Sequence, residues 1–530
     1  MKGKITALLL ASTMALGACT GCSGKSTKSD TTTKQYTISV FTTRVQPEAN
    51  SQIMQKIEQK LGQKIEVTAV DDTDYATKLN LYIASQQMPD IYQATFTADG
   101  STNAMKASAT LTESDLKTYM PDTYKTFTNR LKTYSYDKSN VFSGWSVNGK
   151  LKCFGSGSVG NYTPFALVIN TTMLKDLGLS TPKTIDDWTA AFKAYKAKYP
   201  AKYPLTARGK SAPPQSFYMF YAAYGLTWGT WELSDNKLTY SLAMPQWKEC
   251  LTQLADWYKA GYINPEWFTM DTQAYNNEFI NGNTFVSQYY NINNEIDPPY
   301  DAGTLLAQAV AKNSNAQFAF CPFPTWKSGV KPVVTNYNLF GTGNVSFGGQ
   351  LEKNKDKLHA AMKVWDELMN DKEIYMLRTY GIEGTTYDIK NGVPVIRQQY
   401  TTNDAKSKIG FGWPTAGGYE PTDEVANSVK PSYALENYKK LIGDANGYMG
   451  KNTVDYGFSR VTGSLVTDAG VNLDSKNTSY DTQWSTLFTS IIIGQKPVSA
   501  YDDFVAQWKK DVGNDMTALA NQKYLKQWLK

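Results

Sequence analysis

Few residues in this sequence could support catalysis. His359 is the only histidine, and its surroundings have ordinary helical composition. A Ser-His-Asp or Cys-His arrangement would have to use it, and no nucleophile-elbow motif is present. The cysteines lack the spacing of a zinc site, and the glycines of 155–160 imitate a dinucleotide-binding loop without its strand–helix context. The sequence therefore predicts no enzyme activity, no cofactor and no metal.

Two further observations bear on the chemistry of a site. The 48 Asp and Glu residues leave a carboxylate pair for glycoside cleavage open, because the separation of such a pair is set only in three dimensions. The chain is also rich in aromatic residues, with 35 Tyr, 21 Phe and 13 Trp. Tyr and Trp combine a flat apolar face with a polar edge, which suits the apolar faces of sugar rings as well as a protein core.

Strands and helices alternate along the folded chain. Residues 36–41, 64–70 and 90–92 have strand patterns, and the segments between them have helical spacing. This order predicts an α/β fold with a mainly parallel sheet that is covered on both faces. The pattern returns later, with strands predicted at 165–170 and 284–289 and helices at 184–199, 245–260 and 357–370.

Candidate ligand contacts follow from this order of elements. Ligands of such sheets bind at the carboxyl ends of the strands, which selects polar and aromatic residues directly after three predicted strands. Three tryptophans in polar, glycine-containing loops are added. The predicted contacts are Thr43, Arg44, Gln93, Trp228, Trp231, Tyr289, Tyr290, Asn291 and Trp413. The alternatives are a core position for each ring and a surface ion pair for Arg44.

The N-terminus has the features of a targeting signal. Lys2 and Lys4 precede an apolar run that is too short to span a bilayer. The run ends in Leu16-Gly17-Ala18-Cys19, which resembles a bacterial lipobox. We therefore predict a signal peptide over 1–18 and a lipid on Cys19, with Cys22 as the competing acylation site. Residues 19–35 contain no large apolar side chain and are predicted to be a flexible tether.

Length, charge and cysteine content narrow the class of protein. A chain of 530 residues is too long for one ordinary core, so two or more lobes are expected. The net charge of +6 is small and its Lys and Arg residues are scattered, which argues against a nucleic-acid surface. Cys153, Cys250 and Cys321 do not form a disulfide framework, although one pair remains open.

Several passages resemble bacterial extracellular solute-binding proteins of the maltose-binding type, especially their large lipoprotein branch. The matching passages, in family order, are 74–81, 88–91, 170–188, 258–266, 279–283 and 380–384. Each passage is weakly specific alone, and their order is highly specific. The resemblance covers residues 36–395, and the last part of the chain matches only loosely.

This resemblance implies a fold and a function. The fold would have two α/β lobes of type II topology joined by a hinge, with one lobe built from 36–160 and 318–380 and the other from 161–317 and 381–530. Tyr162 would then lie at the first crossing and join the predicted ligand contacts.

The implied protein is a monomer anchored by its lipid to the outer face of the bacterial cell membrane. It would capture an oligosaccharide and deliver it to the permease subunits of an ABC importer. The alternatives are a surface glycoside hydrolase or lyase, and the same fold binding a peptide.

One departure from the family concerns calcium. Many relatives carry an acidic calcium-binding loop after the helix that corresponds to residues 184–199. Here the loop Lys198–Pro204 contains two lysines and two prolines. Calcium needs several convergent oxygen ligands, so no calcium is expected at this loop.

Overall fold

Short strands alternate with longer helices in the structure. The computed structural model describes residues 34–71, 74–94, 101–133, 136–157, 165–210, 213–291, 294–300, 304–328, 330, 332–333, 339–340, 344–390, 392–415, 425, 430, 432–441, 465, 467, 469 and 471–529. The strands are β1 (Thr37–Thr43), β2 (Lys64–Val70), β3 (Ile91–Tyr92), β4 (Ser146–Val147), β5 (Lys150–Leu151), β6 (Phe165–Asn170), β7 (Trp231–Ser234), β8 (Lys237–Tyr240), β9 (Val286–Asn291), β10 (Phe318–Cys321), β11 (Ser346–Phe347), β12 (Tyr387–Lys390) and β13 (Val393–Ile396). The α-helices are Gln52–Leu61, Tyr75–Ser85, Ser101–Lys106, Glu113–Tyr119, Pro121–Thr133, Lys138–Gly144, Thr171–Asp176, Ile185–Lys198, Tyr218–Ala223, Gln246–Lys259, Thr272–Ile280, Leu305–Lys312, Lys355–Asn370, Lys372–Thr379, Asn403–Ile409, Ser432–Leu441, Leu473–Ile492, Ala500–Trp508 and Asn514–Trp528.

The first sheet has the strand order β11–β3–β1–β2. β1 is parallel to β2 and β3, whereas β11 runs antiparallel to β3. Ile38, Val40 and Phe41 of β1 are fully buried, as expected for a parallel strand with helices on both faces of its sheet. The α/β fold and the parallel arrangement predicted from the alternation are confirmed here.

A hydrophobic core surrounds the first sheet. Its residues come from 38–154 and 339–413, and we call it the first core. Helix Lys355–Asn370 buries Leu358, Met362 and Trp365 on the face predicted from their spacing. Because these apolar residues recur at three- and four-residue steps, they form one continuous stripe against the sheet.

The second sheet has the order β10–β6–β9, and both of its strand pairs are antiparallel. The bounds of β6 agree with the prediction, and β9 begins two residues later than predicted. The prediction of a mainly parallel sheet is wrong for this second sheet. Strand–helix alternation fixes the direction only of strands joined by one crossover, and long excursions separate β6, β9 and β10 in sequence.

A second core lies against this sheet, with residues from 166–323 and 465–528. Helix Ile185–Lys198 shows how the sequence builds it. The Thr184 hydroxyl accepts a hydrogen bond from the Asp187 N–H at 3.0 Å, and the Asp187 carboxylate accepts one from the Thr184 N–H at 3.0 Å. This capping box starts the helix, and Trp188 and Phe192 then pack into the core.

Residues Tyr36–Lys530 form one unit that contains both cores. The predicted lobe boundaries stay a prediction, and the two cores place two segments differently. Residues 318–323 belong to the second core because β10 pairs with β6. Phe411 and Trp413 pack into the first core instead of the second.

The cysteines of the described chain are unpaired. Cys153, Cys250 and Cys321 are free and buried, and burial raises the pKa of each thiol above its ordinary value. Cys19, Cys22 and the predicted tether lie outside the described residues. None of the described helices is long and apolar enough to cross a membrane.

Candidate functional site

The carboxyl ends of β1 and β3 form the first edge of the candidate site. Thr42 donates its hydroxyl proton toward the carbonyl oxygens of Pro414 and Thr415, at 2.9 and 2.7 Å. The neighbouring Thr43 is 0% exposed, and its Oγ1 has no hydrogen-bond partner within the described part of the chain. A buried hydroxyl without a partner is costly, so its position at a strand end points to a ligand.

Gln93 follows β3 at the same edge. The Gln93 side chain is fully buried, and the backbone N–H of Gln93 donates to the Tyr75 hydroxyl at 2.9 Å. Tyr75 in turn stacks on Phe41 with ring centroids 4.3 Å apart. The first edge therefore has polar groups at the strand ends, and the stacked rings of Tyr75 and Phe41 support them.

Arg44 is the first residue after β1 and has an unusual backbone. Its φ is 73°, in the left-handed region, and its N–H donates to the Val70 carbonyl oxygen at 2.9 Å. Its side chain is exposed. A left-handed conformation costs free energy for a residue other than glycine, and such conformations cluster at functional sites.

The carboxyl end of β9 forms the second edge. Tyr289 and Tyr290 point to opposite faces of the sheet, because side chains alternate along a strand. Tyr290 is 1% exposed and its hydroxyl donates to the Glu295 carbonyl oxygen. Tyr289 packs edge-on against Tyr275, with ring centroids 4.9 Å apart. Asn291, the last residue of the strand, is exposed.

Arg208 belongs to this second edge and was not among the predicted contacts. Its guanidinium carbon lies 4.2 Å from the centroid of the Tyr289 ring. The Tyr289 hydroxyl has hydrogen bonds with Ser216 and Arg208, and burial is the main cause that raises its pKa. Arg208 ends an extended segment that pairs only at Leu205 with Ile263. A segment with one bridge gives no strand pattern in the sequence, so the strand-end rule could not select it.

The tryptophans among the predicted contacts lie against the cores. Trp413 is 1% exposed and donates from Nε1 to the Gly410 carbonyl oxygen at 3.2 Å. Trp231 is 5% exposed, and the half-buried Trp228 packs against Phe488 with ring centroids 5.0 Å apart. As ligand contacts these residues stay predictions, and Tyr162 lies outside the described residues.

The two edges lie where the chain passes between the cores. Phe154 and Val345 pair next to the end of β3, and Phe165 at the start of β6 pairs with Asn291 at the end of β9. The seven residues 158–164 connect these regions. At most about 3.5 Å per residue, Gly157 and Phe165 are less than about 30 Å apart, which is within the reach of one extended ligand.

Comparison with known proteins identifies the chain's family. Residues 52–314 match the family model described as "Bacterial extracellular solute-binding protein". The chain belongs to this family of solute-binding proteins.

Relatives of this solute-binding protein cover between 72% and 99% of its length. "Lipoprotein LipO" of Bacillus subtilis is 25% identical, over 99% of this chain and 98% of LipO. A "Carbohydrate ABC transporter substrate-binding protein" of Streptococcus pneumoniae is 26% identical over 72% of each chain. The solved structure of the S. pneumoniae substrate-binding protein FusA in complex with kestose has a TM-score of 0.64 at 18% identity, covering 94% of this chain and 99% of FusA. This likeness shows the two-lobed type II fold of solute-binding proteins.

The loop Lys198–Pro204 of this solute-binding protein is held by lysines. Lys196 donates from Nζ to the carbonyl oxygen of Lys202 at 3.0 Å, and Lys202 donates to that of Gly282 at 2.8 Å. Ammonium groups thus bind backbone carbonyl oxygens here, where relatives are expected to use calcium. Among the described residues, no group of three or more His, Cys, Asp or Glu side chains could hold a metal ion.

Two other features lie away from the two edges. His359 stacks on Tyr119 at 3.8 Å between ring centroids, and its Nε2 lies 3.5 Å from Asp115. A cavity of about 990 Å³, lined in part by Thr171, Tyr300 and Phe318, lies at the opposite end of the second sheet. Phe318 pairs with Asn170, the last residue of β6. Neither feature contributes to the candidate site.

Proposed function

We propose that this solute-binding protein captures an oligosaccharide between the two edges and delivers it to the permease of an ABC importer. The observation that carries the proposal is that the two edges offer different chemical groups to a ligand. One edge has a fully buried hydroxyl, that of Thr43, without a partner in the described chain. The other holds the Arg208 cation against the ring of Tyr289, which packs on Tyr275. Sugar sites need a few fixed polar groups and flat apolar surface.

The relatives support the same ligand class. The S. pneumoniae relative is named for carbohydrate transport, and FusA is solved with kestose. We infer that the ligand stabilises a closed form in which both edges contact it, and that this form docks on the permease. The protein acts as a monomer in this proposal and releases its ligand unaltered.

The N-terminal sequence and the name of LipO support a lipid anchor. We propose that Cys19 is acylated and holds the protein on the outer face of the cell membrane. Metabolic labelling with palmitate in a bacterial host tests this. Cys19→Ala should abolish label incorporation, and Cys22→Ala should retain it. Label that is lost only with Cys22→Ala would assign the anchor to Cys22.

A thermal-shift screen tests the ligand class. Oligosaccharides and peptides of several lengths are added to the folded chain, and a true ligand at ~100 times its Kd should add about 2.7 kcal/mol to stability. Stabilisation by peptides alone would contradict the proposal. Analysis of each stabilising glycan for cleavage products is the second measurement, because sustained turnover would show an enzyme.

A further inference from the structure

The second edge holds a cation in a fixed orientation. The guanidinium of Arg208 lies against the Tyr289 ring, with its carbon 4.2 Å from the ring centroid. Its Nη1 donates to the Thr272 hydroxyl at 3.4 Å, and Tyr289 itself is only 8% exposed. The buried ring and the threonine together limit the movement of the arginine. A guanidinium held in this way offers coplanar N–H groups, the geometry that pairs with a carboxylate through two hydrogen bonds.

Close packing at Gly209 restricts the backbone next to Arg208. A Cβ at Gly209 would lie 2.6 Å from the Cα of Phe268, so a larger residue does not fit there. Gly209 also donates its N–H to the Trp267 carbonyl oxygen at 2.9 Å. Phe217 has a φ of 58° next to Ser216, which hydrogen-bonds to the Tyr289 hydroxyl. Such a conformation is strained for a bulky residue, and strained residues cluster at functional sites.

A permanent positive charge at this position would interact differently with neutral and with acidic sugars. When a neutral sugar covers a guanidinium, it removes water from the cation and supplies no opposite charge. A carboxylate on the sugar offsets that desolvation and adds charge-assisted hydrogen bonds. Arg44 places a second permanent cation at the end of β1.

We propose that Arg208 forms a carboxylate-binding subsite and that the ligand is an acidic oligosaccharide containing uronic acid units. This inference rests on the proposed function and names its substrate class. The Tyr289 ring would hold the guanidinium in place while Arg208 pairs with the carboxylate. Arg44 would contact the same chain from the first edge.

Calorimetric titration with matched ligands tests the subsite. The probes are oligomers of galacturonate, mannuronate and glucuronate, each beside its methyl ester of the same length, together with neutral oligosaccharides. At least one acid should bind about 10-fold or more tighter than its ester, as a charge-assisted pair predicts. Arg208→Met should bring acid and ester within about threefold, because only the acid loses a charged partner.

Two variants control this experiment. Lys210→Gln removes the same charge from an exposed side chain two residues away, and it should keep the preference for the acid. Arg208→Lys keeps the charge without the planar fork, so it should retain only part of the preference. Arg208→Gln replaces Arg208→Met if the methionine variant does not fold.

The possible failures are distinct. If neutral oligosaccharides bind and no acid is preferred over its ester, the inference is overturned and the proposed function stands. A preference for the acid that survives Arg208→Met also overturns the role of Arg208. If no oligosaccharide of either kind binds to the folded protein, the proposed function fails as well.

Discussion

At the first edge, Thr42, Thr43 and Gln93 are completely buried and polar, whereas at the second edge the guanidinium of Arg208 lies against the aromatic ring of Tyr289. Hydrogen bonds from Thr42 to the backbone hold the first edge. Ring packing holds the second, with Tyr289 against Tyr275. In the proposed site, one half of the protein therefore supplies buried polar groups and the other supplies a cation supported by an aromatic ring.

The largest effect is expected from Tyr289→Ala, which removes the aromatic wall and the support of Arg208. Truncation of a buried ring should cost about 3–5 kcal/mol of stability, and ligand affinity should fall about 100-fold because stacking and orientation are lost together. Urea unfolding and calorimetry measure both. Tyr289→Phe is the control and should keep most of the affinity. Unchanged affinity for Tyr289→Ala in folded protein would remove the second edge from the site.

The interiors of the two halves can be compared through one buried carboxyl group in each core. In the first core, Asp366 accepts hydrogen bonds from the Thr123 N–H and hydroxyl at 2.9 and 2.6 Å. In the second core, Asp481 accepts a long bond of 3.3 Å from Tyr240, and desolvation is the main cause that raises its pKa to about 6.

Because the folded pKa of Asp481 lies above its unfolded value, the native state holds its proton more tightly. The contribution of Asp481 to stability is therefore fully present below about pH 4 and is lost as the pH rises through about 6. Asp481→Asn should remove this dependence and raise stability at pH 7.5 by about 2 kcal/mol. Asp366→Asn should lower stability by about 1–2 kcal/mol, since its amide would face donors. Urea unfolding at pH 5 and 7.5 measures these changes. Lower stability of Asp481→Asn than of wild type at pH 7.5 would contradict this account.

The first edge is tested by Thr43→Val, which exchanges a hydroxyl for a methyl group of similar size. The hydroxyl has no partner in the described chain, so stability should be unchanged or slightly higher. Ligand affinity should fall about fivefold to tenfold, the value of one hydrogen bond. Thr42→Val is the matched control and should lose about 1 kcal/mol of stability instead, because it releases two carbonyl oxygens. Equal ligand affinity of wild type and Thr43→Val would exclude this hydroxyl from the site.

The smallest effect concerns the lysine-held loop of the second half. Lys202→Met should lower stability by about 1 kcal/mol, because the Gly282 carbonyl oxygen loses a charged donor. Lys193→Met, at an exposed position of the preceding helix, serves as the control. Addition of EDTA should leave the melting temperature of wild type unchanged. A lower melting temperature in EDTA would reveal a bound metal ion and contradict the prediction.

Local patterns in the sequence were sufficient for much of the first half. The predicted bounds of β2 agree with the structure, and Thr43 and Gln93 lie at the ends of β1 and β3 as predicted, because both features depend on neighbouring residues. Similarly, the predicted face of helix Ile185–Lys198 is the buried one. These features are set by side-chain periodicity and capping, which a single segment contains.

The second half depends on partners that are distant in sequence. Trp228 packs against Phe488, which belongs to a helix about 260 residues further along the chain. The polar, glycine-containing sequence around Trp228 therefore did not indicate that this side chain packs against a core. Arg208 is positioned by Tyr289 and Thr272, which lie more than 60 residues away in sequence. The antiparallel course of β9 and β10 likewise follows from long excursions of the chain that strand patterns do not describe.

The three unpaired, buried cysteines of the described chain can be used to measure how each half of the protein opens. Cys153 lies in the first core, and Cys250 and Cys321 lie in the second. These three thiols are unpaired, so folding of this chain requires no disulfide between them. Each thiol reacts with an alkylating reagent only after the core around it unfolds locally. Mass spectrometry of the labelled peptides therefore gives the opening rate of each half separately.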